Sequence, residues 1–258
     1  MKKLFLIANW KSNKTVDQTE KWLHDFSEKL LQDKLNFENK EIILCPSFIV
    51  LEHANYCSKN LNLPIKIGVQ NVSKFKNGAY TGEVTAEMLK GLAQYCIVGH
   101  SERRKFFNET DDDVIAKIEF LLELNITPIL CISNLSQLES YVDRGKQIIE
   151  RAREIVFVYE PPEAISGGRD YKPESPEVVR SNVIKIKDTI KDALGILYGG
   201  SINSTNVSSF FSLPEIDGGL VGQASLDPLE FLQIIKNISL TNCFVKFCKE
   251  INCFFYLF

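Results

Sequence analysis

Histidine is scarce in this chain, with three among 258 residues, beside two methionines and two tryptophans. Seven cysteines occur, yet none forms a CxxC pair or a Cys/His cluster in the sequence, which argues against a zinc motif. No apolar run approaches the length of a membrane span. The N-terminal run Leu4 to Ala8 is broken by Asn9 and Lys11, too early for the core of a signal peptide. Acidic and basic residues are interspersed and sum to −3, with pI near 5.8, so there is no basic footprint for nucleic acid. No Pro/Gly/Ser-rich linker divides the chain. The residue set is that of a reduced, cytoplasmic globular protein without a membrane or nucleic-acid partner.

What the chain does contain is an alternation. Eight short apolar runs recur: Leu4–Ala8, Glu41–Cys45, Ile65–Val69, Tyr95–Val98, Thr127–Ile132, Ile155–Tyr159, Gly195–Tyr198 and Gly218–Val221. Between them lie segments at helical spacing. In Val16–Leu31 the side chains of Trp22, Leu23, Phe26 and Leu30 share one face. Val114–Leu124 follows an acidic start at Asp111, Asp112 and Asp113, which suits a helix N-terminus. Ser175 and Pro176 read as N-cap and first turn of another helix. Strand-helix repetition implies parallel strands with crossovers. Eight such units predict a single-domain α/β protein, a (β/α)8 TIM barrel over residues 1–240. The rival is an open doubly wound sheet, which favours a glycine-rich turn after the first strand, where this chain has Asn9-Trp10-Lys11. Residues 241–258, with three cysteines and five phenylalanines, read as a C-terminal extension of unknown role. A weak membrane or partner contact through its aromatics is the alternative reading of this tail.

A barrel gathers its strand ends at one face, and there the chemistry is expected. The first strand ends at Asn9-Trp10-Lys11 and the fourth at Gly99-His100-Ser101-Glu102. The sixth ends at Glu160, followed by Pro161-Pro162 and, further on, Gly167-Gly168, the pattern of a base beneath a lid. The seventh ends at Gly199-Gly200-Ser201 and the eighth at Gly222-Gln223, where backbone N–H groups can cradle a phosphate. One carboxylate, one imidazole, one ammonium and an anion cradle suit proton abstraction beside a carbonyl, with Lys11 and His100 holding an enediolate. The cradle implies a phosphorylated substrate. No metal and no cofactor is expected.

Taken in order, Asn9-Trp10-Lys11, Gln70-Asn71, Gly78-Ala79-Tyr80-Thr81-Gly82-Glu83, Val98 to Arg104, Tyr159-Glu160-Pro161, Tyr198 to Ser201 and Leu220-Val221-Gly222 resemble the triosephosphate isomerase family across residues 1–240. The resemblance implies interconversion of dihydroxyacetone phosphate and D-glyceraldehyde 3-phosphate, in glycolysis and gluconeogenesis. It makes Glu160 the base, His100 the neutral electrophile and Lys11 the electrostatic residue. Asn9 and Glu102 are similar to supporting polar residues, and Ser166 stands at a lid position that touches phosphate. Thr81 lies in the loop that, in the family, enters a partner's site and makes a homodimer. Four positions depart from the pattern. Glu163 replaces a lid tryptophan and Asn134 the glutamate that pairs with it. Ser166 and Gln223 each replace a glycine. If position 223 needs a left-handed backbone, its glutamine is strained, by about 1–2 kcal/mol. Two other readings stay open: a pentose-phosphate epimerase, and a catalytically altered barrel that only binds phosphosugars or partners.

Overall fold

The computed structural model describes residues 3–35, 37–164 and 172–238, and every predicted apolar run is a strand. β1 (Leu4–Asn9), β2 (Lys40–Cys45), β3 (Ile65–Val69), β4 (Tyr95–Val98), β5 (Thr127–Ile132), β6 (Val156–Tyr159), β7 (Gly195–Tyr198) and β8 (Gly218–Val221) form a closed barrel in chain order. Predicted and observed strand ends differ by at most one residue. Leu6 of β1 pairs with Ile42 of β2 on one side and Gly219 of β8 on the other, both parallel. That last pairing removes both free edges and with them the open-sheet alternative.

The connecting helices are α1 (Val16–Asp33), α2 (Leu51–Asn60), α3 (Ala86–Leu89), α4 (Ser101–Phe107), α5 (Asp111–Glu123), α6 (Leu135–Arg144), α7 (Lys146–Glu150), α8 (Pro176–Thr189), α9 (Val207–Phe211) and α10 over 228–238. The acidic triplet expected before α5 is its first turn. Thr110 caps it, with Thr110 and Asp113 each accepting from the other's backbone N–H. Thr15 and Gln18 make the same box at α1, and Ser175 caps α8 with Pro176 inside its first turn. Each such cap stabilises its helix by about 1 kcal/mol.

Why the strands read as unbroken apolar runs is visible in the packing. Phe5, Ile7, Ile43, Cys45, Ile97, Ile129, Cys131, Val158 and Leu197 form one buried cluster, the barrel interior. Their strand neighbours Leu4, Leu6, Ala8, Leu44, Val98, Leu130 and Ile196 belong to a second cluster shared with the helices. Both faces are buried, so the period-two alternation of a half-exposed sheet is absent. Gly218 adopts φ 142° where β8 crosses β1, and a Cβ there would stand 1.8 Å from the Phe5 carbonyl oxygen. Only glycine allows that approach. Near the first strand end, Trp10 and Trp22 meet edge to face at 5.1 Å, and Trp22 stacks on Phe26 at 4.9 Å.

The predicted C-terminal extension 241–258 and the lid positions Ile165 to Gly168, Ser166 among them, lie outside the described residues. No helix among the described residues is long and apolar enough to cross a membrane.

Candidate active site

Asn9, Lys11, His100, Glu160, Ser201, Gly222 and Gln223 line one cleft at the strand ends, of about 390 Å³ counting its open mouth. Seven positions scattered from 9 to 223 in the sequence are therefore brought together by barrel closure. Glu102 borders them through Lys11, whose Nζ lies 2.5 Å from Oε1 of Glu102.

Backbone conformation sets the first of these side chains. Lys11 is left-handed, φ 52°, an uncommon state for a residue with a Cβ. Its N–H donates to Oδ1 of buried Asn9 at 3.1 Å, and its carbonyl accepts from Gln70 Nε2 at 2.8 Å. Gln70 also donates to the Cys45 carbonyl at 2.9 Å, so the end of β3 clamps the loop that carries the ammonium. In the sequence Gln70 stands in one of the segments that carry the resemblance, just past an apolar run. Nothing local marked it as a clamp.

His100 is delivered by a left-handed Gly99, φ 71°, where a Cβ would stand 3.3 Å from the Cys131 carbonyl oxygen. The imidazole then caps α4: Nδ1 accepts the Glu102 N–H at 3.2 Å. The ring hydrogen is left on Nε2, which donates to Oε1 of Glu160 at 2.8 Å. The second carboxylate oxygen, Oε2, accepts the Ser101 N–H at 3.2 Å. Glu160 is 1% exposed and continues β6, its own N–H bonding the Ile132 carbonyl at 2.8 Å.

Burial alone would raise the Glu160 carboxyl. The charge and hydrogen bond of His100, the Ser101 N–H and Lys11 outweigh it and hold the group below the ordinary carboxylate range. Burial likewise opposes a charged His100, yet Glu160, helped by Glu102, carries its pKa above the ordinary histidine value. That raised value belongs to the imidazole while an ionised Glu160 sits against it.

The remaining predicted positions divide. Ser201 lines the cleft, but its N–H and its hydroxyl both donate to the Ala164 carbonyl, at 2.9 and 2.7 Å. The donor expected to meet phosphate is thus engaged with the start of the lid. Gln223 opens a short 3-10 turn, Gln223–Leu226, and is not among the left-handed residues. The strain expected of a glutamine there is absent, because the turn following Gly222 has ordinary negative φ. At Gly222 a Cβ would stand 3.4 Å from Lys11 Cε, an ordinary contact, so space alone does not demand glycine there. Thr81 is exposed in the loop after β3, outside this cleft. Asn134 caps α6, accepting from Gln137 N–H at 3.0 Å and Ser136 Oγ at 2.6 Å. Glu163 is exposed, and a lid latch between these two positions has no counterpart here.

His53 and Cys57, one turn apart on α2, approach to 3.4 Å, a contact that no sequence motif marked. Among the described residues no group of three or more His, Cys, Asp or Glu side chains is arranged to hold a metal ion.

A sequence model of the family described as Triosephosphate isomerase matches residues 4–238. A protein named triosephosphate isomerase from Dictyoglomus turgidum is 37% identical over 255 residues, covering 92% of this chain and all of its own. One of the same name from Dictyoglomus thermophilum is 36% identical, with the same coverage of both chains. Another from Mesomycoplasma hyorhinis is 36% identical over 247 residues, 91% of this chain and 98% of its own.

Proposed function

The chain belongs to the triosephosphate isomerase family, and from that premise we propose how its residues divide the work. The reaction is the interconversion of dihydroxyacetone phosphate and D-glyceraldehyde 3-phosphate, and the protein is an isomerase of glycolysis. Glu160 takes a proton from the hydroxymethyl carbon of the ketose, and the electrons move to the neighbouring carbonyl oxygen, giving an enediolate. The Nε2–H of His100 faces that oxygen pair and relays a proton between them. Glu160 then returns its proton to the adjacent carbon, and the aldose forms with no net change in atoms or electrons. The single observation that carries this reading is the 2.8 Å contact between His100 Nε2 and Glu160 Oε1 in the cleft that also holds Lys11.

Both oxygens of Glu160 are occupied, by His100 and by the Ser101 N–H. The carboxylate must therefore leave these partners to reach substrate carbon. Its departure removes the pull that favours a charged imidazole, while the Glu102 N–H still points at Nδ1. His100 then acts as a neutral donor. Lys11 balances the enediolate charge, a role in which a fixed cation stabilises the transition state more than the ground state. Asn9 and Glu102 orient that lysine. The loops at Ser201 and at Gly222-Gln223 receive the phosphate, with Ser166 contributing from the lid.

A cytoplasmic homodimer completes the proposal. The loop bearing Thr81 projects a stacked pair, Phe75 on Tyr80 at 4.2 Å, and Ile49 is 84% exposed on the loop after β2. Apolar groups so displayed suit a second copy of the chain. The buried free thiols of Cys45, Cys96 and Cys131 suit a reducing setting. The test is direct: the purified protein interconverts the two triose phosphates without added metal, and Glu160→Gln abolishes turnover. A parent protein with no isomerase activity, or an active Glu160→Gln, overturns the assignment.

A further inference from the structure

Lys14 is the second left-handed residue of the loop after β1, with φ 73°, and it has a long side chain where such a backbone favours glycine. Its side chain is held at two points. The ammonium donates to the Leu226 carbonyl at 2.8 Å, a contact 212 residues away in sequence. It also lies over the Trp10 ring, 5.1 Å from the centroid. Asp227, the next residue along, adds electrostatic attraction.

Leu226 ends the 3-10 turn that begins at Gln223, so the carbonyl that Lys14 holds belongs to the loop proposed to receive phosphate. Two indoles grip the same turn. Trp10 Nε1 and Trp22 Nε1 each donate to the Ser225 carbonyl at 3.2 Å. Ser225 in turn reaches back, its hydroxyl donating to the Gly222 carbonyl at 2.7 Å. Gly222 faces the Lys11 stem, where an added Cβ would stand 3.4 Å from Cε. A continuous set of contacts thus runs from Lys14 through the turn to the cleft and returns to the loop that bears Lys11.

We propose that Lys14 is a positioning residue for phosphate binding, a tether that sets the eighth-strand loop against the Lys11 loop. This rests on the proposed phosphate cradle at Gly222 and Gln223. Lys14 does not line the cleft, so its effect is transmitted. Burial lowers its pKa, in keeping with an ammonium held against the protein and not free in solvent. A left-handed lysine is disfavoured locally, and it persists where its side chain is over-determined by contacts with another loop.

The test compares Lys14→Met, Lys14→Arg and Lys14→Gly in the full chain, with inorganic phosphate as competitive probe. Lys14→Met keeps the length and loses the donor. It should raise KM for both triose phosphates, and the inhibition constant of phosphate, by about three- to tenfold, with kcat within about twofold of the parent. Lys14→Arg, which keeps a cationic donor, should restore both constants. Lys14→Gly relieves the left-handed backbone, so it folds even if the methionine variant does not, and it too should bind phosphate weakly. Unchanged KM and phosphate inhibition in the variants, with only a lower melting temperature, overturns the tether and leaves a packing role. Failure of phosphate to compete in the parent overturns the cradle itself, a distinct outcome.

Discussion

His100 Nε2 donates to Glu160 Oε1 at 2.8 Å, so the two groups proposed to address the substrate first address each other. Each is nearly inaccessible, and each shifts the other's proton affinity toward the charged pair. Such a pairing favours the ionised form of a buried carboxylate.

Shortening the base separates positioning from binding. In Glu160→Asp the carboxylate is withdrawn by one methylene while Lys11 and the loops after β7 and β8 are untouched. The expected outcome is a fall in kcat of about 100-fold with KM changed by less than about threefold, read from steady-state kinetics in both directions. A loss confined to KM would mean that Glu160 binds and does not abstract.

The pH profile carries a sign. Glu160 is held below its ordinary value of 4.5, with His100 the largest lowering influence. Its ionised form is favoured by folding, so this contribution to stability is present above the unfolded pKa and is lost as pH falls through the lowered folded value. His100→Gln removes the imidazole, leaving only the Ser101 N–H and Lys11 to oppose burial. The acid limb of kcat/KM, corrected for the substrate phosphate ionising near pH ~6, should move to higher pH in the variant. Acid unfolding should move the same way. A limb that stays or moves down contradicts the coupling.

Position 223 now bears a plainer expectation than its sequence suggested. Since Gln223 is not left-handed, Gln223→Gly relieves no strain. The inhibition constant of inorganic phosphate should stay within about twofold of the parent. Tightening beyond that would point to the glutamine side chain as an obstruction at the cleft.

Asn134 is a helix cap, its Oδ1 holding the first turn of α6. Asn134→Ala removes the acceptor for Gln137 N–H and should cost about 1 kcal/mol, lowering the melting temperature by about 2–4 °C. Turnover should be unaffected. A fall in kcat without loss of stability would instead tie this residue to the lid.

For the homodimer, sedimentation at micromolar concentration should give a two-chain particle. Thr81→Arg, a large charge beside the Phe75–Tyr80 stack, should shift it toward one chain and reduce kcat together. A fully active single-chain parent excludes the dimer as a requirement for activity.

The barrel was legible because parallel strands buried on both faces leave continuous apolar runs, and because the proposed site residues lie at or just beyond the ends of such runs. Asn9, His100 and Glu160 could be found that way. Lys11 could be found too, although its left-handed backbone could not. What escaped the sequence is set by contacts between distant loops. Trp10 and Trp22 meet the Ser225 carbonyl across 215 and 203 residues. Lys117 pairs with Glu109 in a buried contact and donates to Asn71 at 2.8 Å, joining α5 to the loop after β3. Each of these has ordinary composition on its own side. Asn134 showed as a missing glutamate because a pattern of replacement reveals what is gone, while its capping bond depends on the geometry of α6.

The closure of β1 against both β2 and β8 has a temporal meaning as well. A chain emerging from the ribosome can pair Leu6 with Ile42 early, but its other neighbour, Gly219, is made more than two hundred residues later. Until then the first strand keeps one side of unsatisfied amides and carbonyls, and the nascent sheet retains an edge open to wrong partners. Commitment to the native ring therefore waits for β8, and a ribosome-stalled chain ending before β8 should be sensitive to protease where one carrying β8 is resistant.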